Sequence, residues 1–351
     1  MNGTCDERFA AVGELLDRRL RDGDETGASV CVVQDGEVVV DLWGGSAAAG
    51  VPWTRDTLVN TYSLTKTMVA LVALLLVERG ELDPGAPVAR YWPEFAAAGK
   101  RDVLVRHVLG HTSGVSGWQQ TVTLEELYDT ERAAGLLAAQ QPWWPPGEGS
   151  GYQAVCHGHL VGEIVRRITG TTPGALLRAE FPDADYWLGA PPEIDDRVAT
   201  LVPPPSSGVD TAALDPIASR TLTNPVIPPA VTTTRPFLAA ELGGLNGQGN
   251  ARSVALLQSH VSHRRTSSVD RIFEVQSDGV DRVLGAPVRF GLGYALAEPR
   301  ICWWSGLGGS VVVNDLDRRL TFAYVMNRME PELIGAANTR AFAGTLRSCL
   351  R

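Results

Sequence analysis

Apolar positions recur along the chain with two different periods, and the switches between them outline the fold. Phe9, Val12, Leu15, Leu16 and Leu20 keep helical spacing and Gly23 follows, so residues 6–22 are expected to form an amphipathic helix. Residues 28–33 and 37–43 then read as two strands joined at Asp35-Gly36, a pair suited to a tight turn with positive φ. From Ser63 to residue 181 the pattern becomes helical, with helices expected at 64–79, 102–109, 124–139, 154–169 and 173–181. Residues 182–233 turn proline-rich, through Pro203-Pro204-Pro205 and Ile227-Pro228-Pro229, and long irregular excursions in compact enzymes are often functional. A helix near 250–262 follows, then strands at 291–296, 301–304, 310–314 and 320–326, and a closing helix over 334–349.

Strand-rich ends around a helical middle predict an α+β fold. One antiparallel sheet is flanked by the N- and C-terminal helices, and an all-helical insertion interrupts it. The matching division is a discontinuous α/β part, residues 1–62 and 234–351, and a mainly helical part, 63–233, with a proline-rich loop at about 200–233.

One helix departs from the amphipathic rule. Val69 to Val77 is apolar on nearly every side, which places that helix in a core, and it falls far short of the roughly 20 residues of a membrane span. Immediately before it stands Tyr62-Ser63-Leu64-Thr65-Lys66-Thr67. If the helix starts near Ser63, the three-residue step to Lys66 puts hydroxyl and amine on one face, a turn apart. A serine hydroxyl becomes a nucleophile when a neighbour takes its proton, and a lysine does so when burial lowers its pKa. Lys66 and Lys100 are the only lysines in the chain. Arginine supplies every other basic side chain, and its pKa above about 12 bars it from that work. An N-cap serine with a lysine one turn later is the plainer reading of the same four residues.

Composition narrows the partners. The chain has 351 residues, 44% hydrophobic and 20% charged, as an ordinary soluble globular protein does. A formal net charge of −9 argues against nucleic acid or an anionic membrane as a partner. The first residues show neither a basic stretch nor an apolar run, so the expected location is cytoplasmic. Five scattered cysteines without Cys-x-x-Cys spacing read as reduced thiols rather than a disulfide frame or zinc site. His157 and His159, two apart on a helix, point to different faces, and no His-Glu-x-x-His occurs, so no metal is expected. His107 and His111 flank a helix end, where capping or packing is the expected role. No Gly-x-Ser-x-Gly elbow is present, which disfavours an α/β-hydrolase. The glycines from Gly243 to Gly249 lack the context of a phosphate loop.

Several stretches, in order over nearly the whole chain, carry a resemblance. They are Ser63-Leu64-Thr65-Lys66, Val108 to Gly114, Pro146-Gly147 before Tyr152, Asn250 to Ser253, Phe290 to Tyr294 and Trp304 to Ser310. The chain resembles the serine β-lactamase and penicillin-binding-protein superfamily. Within it, the class C β-lactamase-like branch of carboxypeptidase-like proteins, carboxylesterases and biosynthetic acyltransferases is most similar. The resemblance implies acylation of Ser63, with Lys66 or Tyr152 as its base, the two being coupled. It implies an oxyanion hole from the backbone N–H groups of Ser63 and Leu307, the latter just after Trp304-Ser305-Gly306. Two departures from the branch stand out. Ala154 occupies the asparagine position of Tyr-x-Asn, and Trp304 the lysine position of Lys-Thr-Gly. Neither side chain can grip a substrate amide or carboxylate, so efficient β-lactam hydrolysis is not expected. Trp304, with Trp118, Trp143 and Trp144 on nearby motif loops, suggests an aromatic pocket for an apolar acyl or alcohol group.

The expected function is therefore a serine acyl-enzyme hydrolase, foremost a carboxylesterase on small ester or activated acyl substrates, with no metal or organic cofactor. A transacylase passing the acyl group to an amine or alcohol is the alternative, and a non-catalytic binder of the same fold a third.

Overall fold

The two ends of the chain meet in one sheet. The computed structural model describes residues 1–205, 214–264 and 266–351. In it the strands run Asn2–Cys5, Glu37–Ala48, Gly27–Gln34, Leu320–Met326, Val311–Asp315, Ile301–Ser305, Ala295–Leu296, Pro287–Phe290 and Ser277–Val280 across the sheet. Every neighbouring pair is antiparallel. Gly27–Gln34 pairs with Leu320–Met326, with Val32 opposite Phe322 and Cys31 opposite Ala323, and this seam joins the first hairpin to the last strands.

Alternation along these central strands separates two layers of core. Val30, Val32, Phe322 and Tyr324 face the helices Ala10–Asp22 and Ala337–Cys349, meeting Val12, Leu16 and Phe342. Cys31, Val33, Ala323 and Val325 face the other way, into the larger core that holds helices Thr65–Glu78 and Ala251–His263. Thr65–Glu78 is buried from Thr65 through Leu76, as its all-round apolar pattern requires. Full burial of one such leucine stabilises by about 1.5–3 kcal/mol, so the helix can carry a lysine into the core.

Several element boundaries differ from the sequence expectation, each for a local reason. The first helix is preceded by a 3-10 turn, Glu7–Phe9, capped by Asp6. The helix expected over 124–139 is two, Leu124–Tyr128 and Thr130–Ala139, because Asp129 leaves helical geometry to cap the second. The expected strand 291–296 is mostly a turn with Gly293 at φ 79°, and only Ala295–Leu296 pairs. Asn2–Cys5 and Ser277–Val280 gave no signal because neither has a buried face to impose alternation. The proline-rich excursion contains a helix, Pro216–Thr223, capped by Asp215. Residues 206–213 of the expected loop lie outside the described residues. Among the described residues no helix is long and apolar enough to cross a membrane.

Candidate active site

Ser63 sits in the 3-10 turn Tyr62–Leu64 that leads into helix Thr65–Glu78. Tyr62 holds a left-handed backbone, φ 45°, a costly conformation for a side chain that size and one found where a turn must present its neighbour. One turn on, the Lys66 amine lies within hydrogen-bond distance of Ser63 Oγ, at 3.0 Å, and donates to the carbonyl of Ala154 at 2.8 Å and to that of Gly244 at 2.6 Å. Lys66 is 1% exposed. Burial pushes its amine down to about 7, with only a small opposing influence from Cys156. Among the described residues no carboxylate lies within ion-pair distance of it.

The Gly244 carbonyl arrives by close packing. A Cβ on Gly158, in helix His157–Thr169, would lie 2.3 Å from the Gly244 nitrogen, so only glycine lets the 243–244 loop lie that near. The glycine-rich stretch set aside as a phosphate loop thus supplies a ligand to the lysine.

Tyr152 is buried, with Lys66 Nζ 4.8 Å from its ring centre. Burial drives its phenol well above the ordinary value, while hydrogen bonds with Ser63 and Trp304 pull the other way. The Trp304 indole N–H donates to the Tyr152 hydroxyl at 3.3 Å. Behind the phenol lies His111, edge-on at 5.1 Å, and behind that His157, at 4.8 Å from His111. Burial holds His111 down at about 3 and His157 well below its usual value, so both rings are neutral. The Gln153 N–H donates to His111 Nδ1 at 3.3 Å, which places the His111 proton on Nε2.

Gly306 packs directly on the turn that carries Ser63. A Cβ there would sit 2.1 Å from the Thr61 carbonyl oxygen and 3.4 Å from the Ser63 nitrogen. The next residue, Leu307, lines the same cavity as Ser63. Neither the Ser63 nor the Leu307 amide is committed to a backbone acceptor among the described residues.

Ser63 opens on a cavity of about 440 Å³. Tyr62, Tyr152, Ala154 and Leu307 line it beside Ser63; Pro203, Pro204, Leu222, Pro225, Ile227, Pro229, Met329, Pro331 and Leu333 wall the rest. Among the described residues that line it, Glu330 is the only carboxylate, and no lysine, arginine or histidine joins it.

The tryptophan-lined pocket expected from sequence is not found. Trp118 is fully buried, its indole N–H donating to the Ala133 carbonyl, and Trp144 is buried with its N–H on Gly149. Trp143 packs by Gly117 and Thr221, and Trp304 lies under Tyr152 in a cluster with Val288 and Phe290. None of the four lines the cavity at Ser63. The indoles of Trp118, Trp144 and Trp304 each donate to an internal acceptor, and the excursion's prolines supply the apolar wall instead. The structure brings Ser63, Lys66, Tyr152, Ala154, Gly306 and Leu307 together. His111 was expected to cap or pack at a helix end and His157 was set aside as a metal ligand, whereas Asp281, whose carboxylate accepts from the Tyr152 N–H at 3.1 Å, was not singled out from sequence. Among the described residues no group of three His, Cys, Asp or Glu side chains is placed to hold a metal ion.

A hydroxyl bonded to a buried, uncompensated amine, with a phenol alongside, is the core of a serine acyl-enzyme site. The chain belongs to the Beta-lactamase family, which it matches over residues 12–345. It is 33% identical to the Esterase/beta-lactamase LipL of Mycobacterium tuberculosis, covering 95% of this chain and 84% of LipL. Among solved structures, a family VIII carboxylesterase is similar at 34% identity with a TM-score of 0.93, covering 99% of each chain. A penicillin-binding protein homolog from Caulobacter crescentus is 32% identical with a TM-score of 0.87, again over 99% of each chain.

Proposed function

We propose that this protein is a carboxylesterase that works through an acyl-enzyme on Ser63 and takes small, apolar, uncharged esters. The observation that carries the reading is the Lys66 amine 3.0 Å from the Ser63 hydroxyl, buried without a counter-charge. In that setting the neutral amine is populated near neutral pH and accepts the hydroxyl proton as Oγ attacks the ester carbonyl. The backbone N–H groups of Ser63 and Leu307 receive the developing oxyanion. The carbonyl–alkoxy bond then breaks, and the proton passes through the Lys66–Tyr152 pair to the departing alcohol. Water attacks acyl-Ser63 by the same route in reverse, releasing the carboxylic acid and restoring the hydroxyl. The names of LipL and of the family VIII carboxylesterase support the substrate class. The cavity supports the preference, being apolar and lined, among the described residues, by no cation that would attract a carboxylate.

The test is turnover of p-nitrophenyl butyrate beside a chromogenic cephalosporin. Ester cleavage that disappears in Ser63→Ala, with little cephalosporin cleavage, supports the reading; equal rates in the variant refute it.

One observation favours acyl transfer as a second reading. The proline-rich wall of the cavity at Ser63 presents groups that offer water few hydrogen bonds, a setting that slows hydrolysis of an acyl-enzyme. Addition of a primary amine or alcohol would then divert product from acid to amide or ester, and indifference to every acceptor would exclude it.

A further inference from the structure

We propose that Asp281 is a positioning residue for this site: its carboxylate fixes the backbone of Tyr152 and thereby the reach of the phenol towards Ser63. The inference rests on the role of Tyr152 given above.

Asp281 lies at the tip of the hairpin between strands Ser277–Val280 and Pro287–Phe290, and it is fully buried. Its Oδ1 accepts three backbone N–H groups: Val283 at 2.9 Å, Leu284 at 2.9 Å and Tyr152 at 3.1 Å. The first two close the hairpin tip, as an aspartate in a turn commonly does. The third reaches a residue 129 positions away in the chain. The following residue grips the same segment, for the Arg282 N–H donates to the Ser150 carbonyl at 3.0 Å and its guanidinium to the Glu148 carbonyl at 3.3 Å.

Two features set this apart from an ordinary turn cap. Residues 151–153 belong to no helix or strand, so no regular ladder of hydrogen bonds places Tyr152. The Asp281 contact takes that role. The other carboxylate oxygen, Oδ2, is buried and has no hydrogen-bond partner among the described residues. A turn cap needs one oxygen and no burial, and it functions as well at a surface. A half-unsatisfied carboxylate in the core is costly, and what it gains here is a fixed Tyr152. A displacement of about 1 Å at a reacting group can cost on the order of 100-fold in rate.

The test compares steady-state kinetics on a short-chain p-nitrophenyl ester for wild type, Asp281→Ala, Asp281→Asn, Tyr152→Phe and the Asp281→Ala/Tyr152→Phe double variant. Asp281→Ala is expected to lower kcat by at least about 30-fold with KM within about two-fold, because substrate binding is untouched. Asp281→Asn keeps the Oδ1 acceptor and is expected within about three-fold of wild type. If Asp281 acts through Tyr152, the double variant is no more than about two-fold slower than Tyr152→Phe alone. Asp281→Ala with unchanged kcat, Asp281→Asn as impaired as Asp281→Ala, or losses that multiply would each overturn the proposal. Should Asp281→Ala not fold, Asp281→Ser replaces it, since a hydroxyl can cap the tip but falls short of the Tyr152 amide. A fully active Tyr152→Phe would instead refute the role of Tyr152; an inactive Tyr152→Phe beside a fully active Asp281→Ala refutes only this inference.

Discussion

The Lys66 amine donates to the backbone carbonyl of Gly244 at 2.6 Å, and with Ala154 at 2.8 Å this leaves Ser63 as its third partner. A neutral amine fits that environment, with two N–H bonds for two carbonyls and a lone pair facing the serine hydroxyl. An ammonium there would be a buried charge held by dipoles alone, and desolvation outweighs them.

The pH profile follows from this. Burial lowers the Lys66 pKa to about 7, and the protonated form has no lone pair with which to take the Ser63 proton. Activity is therefore expected to rise through about pH 7 and to fall about tenfold per unit on the acid side. Lys66→Met, which keeps the apolar stem and has no base, is expected to lose about 10³-fold or more in kcat while remaining folded, as losses within a nucleophile–base unit do. A profile of kcat/KM against pH for wild type checks the first expectation, and kcat of the variant the second.

Trp304 acts on Tyr152 through one N–H, at 3.3 Å, and does not line the cavity. Trp304→Phe is expected to cost kcat about 3–10-fold, the worth of one hydrogen bond, and to leave acyl-chain preference unchanged. Ile227→Ala, in the cavity wall, is expected to shift that preference towards longer chains. Rates across a C2–C8 p-nitrophenyl ester series separate the two effects.

Gly306 leaves no room for a side chain, since a Cβ would meet the Thr61 carbonyl oxygen at 2.1 Å. Gly306→Ala is expected to push the Leu307 amide away from Ser63 and to cut kcat by about 10²–10³-fold, as loss of an oxyanion donor does. The readout is kcat, with circular dichroism to show that the fold survives.

Glu330 is the one carboxylate among the described residues that line the cavity, only loosely paired with Arg19 at 3.5 Å. It should disfavour esters that carry a negative charge. Glu330→Gln is expected to raise kcat/KM for a succinate monoester about 3–10-fold, the scale of a partly screened charge pair, and to leave a neutral ester of equal length unchanged. The ratio of the two substrates is the measurement.

Much of this site was legible in the sequence because its chemistry is local. The Ser63 to Lys66 step is a property of one helical turn, and the apolar run from Val69 to Val77 announced the burial that tunes the amine. Tyr152 and Leu307 were reached through resemblance rather than periodicity. The residues that escaped act across long separations. Asp281 meets Tyr152 from 129 positions away, and Gly244 reaches Lys66 from 178. The tryptophans misled because an indole in a motif loop reads the same whether it faces a cavity or, like Trp118, satisfies a carbonyl in the core. The prolines gave only a loop, and their service as cavity wall depends on where the chain folds back.

The most direct test of the account is the intact mass of the protein quenched during turnover of p-nitrophenyl butyrate. The account predicts a gain equal to one butyryl group, mapping to the peptide that contains Ser63 and absent in Ser63→Ala. Turnover at the wild-type rate in Ser63→Ala, or an acyl group mapped to any other residue, would contradict it.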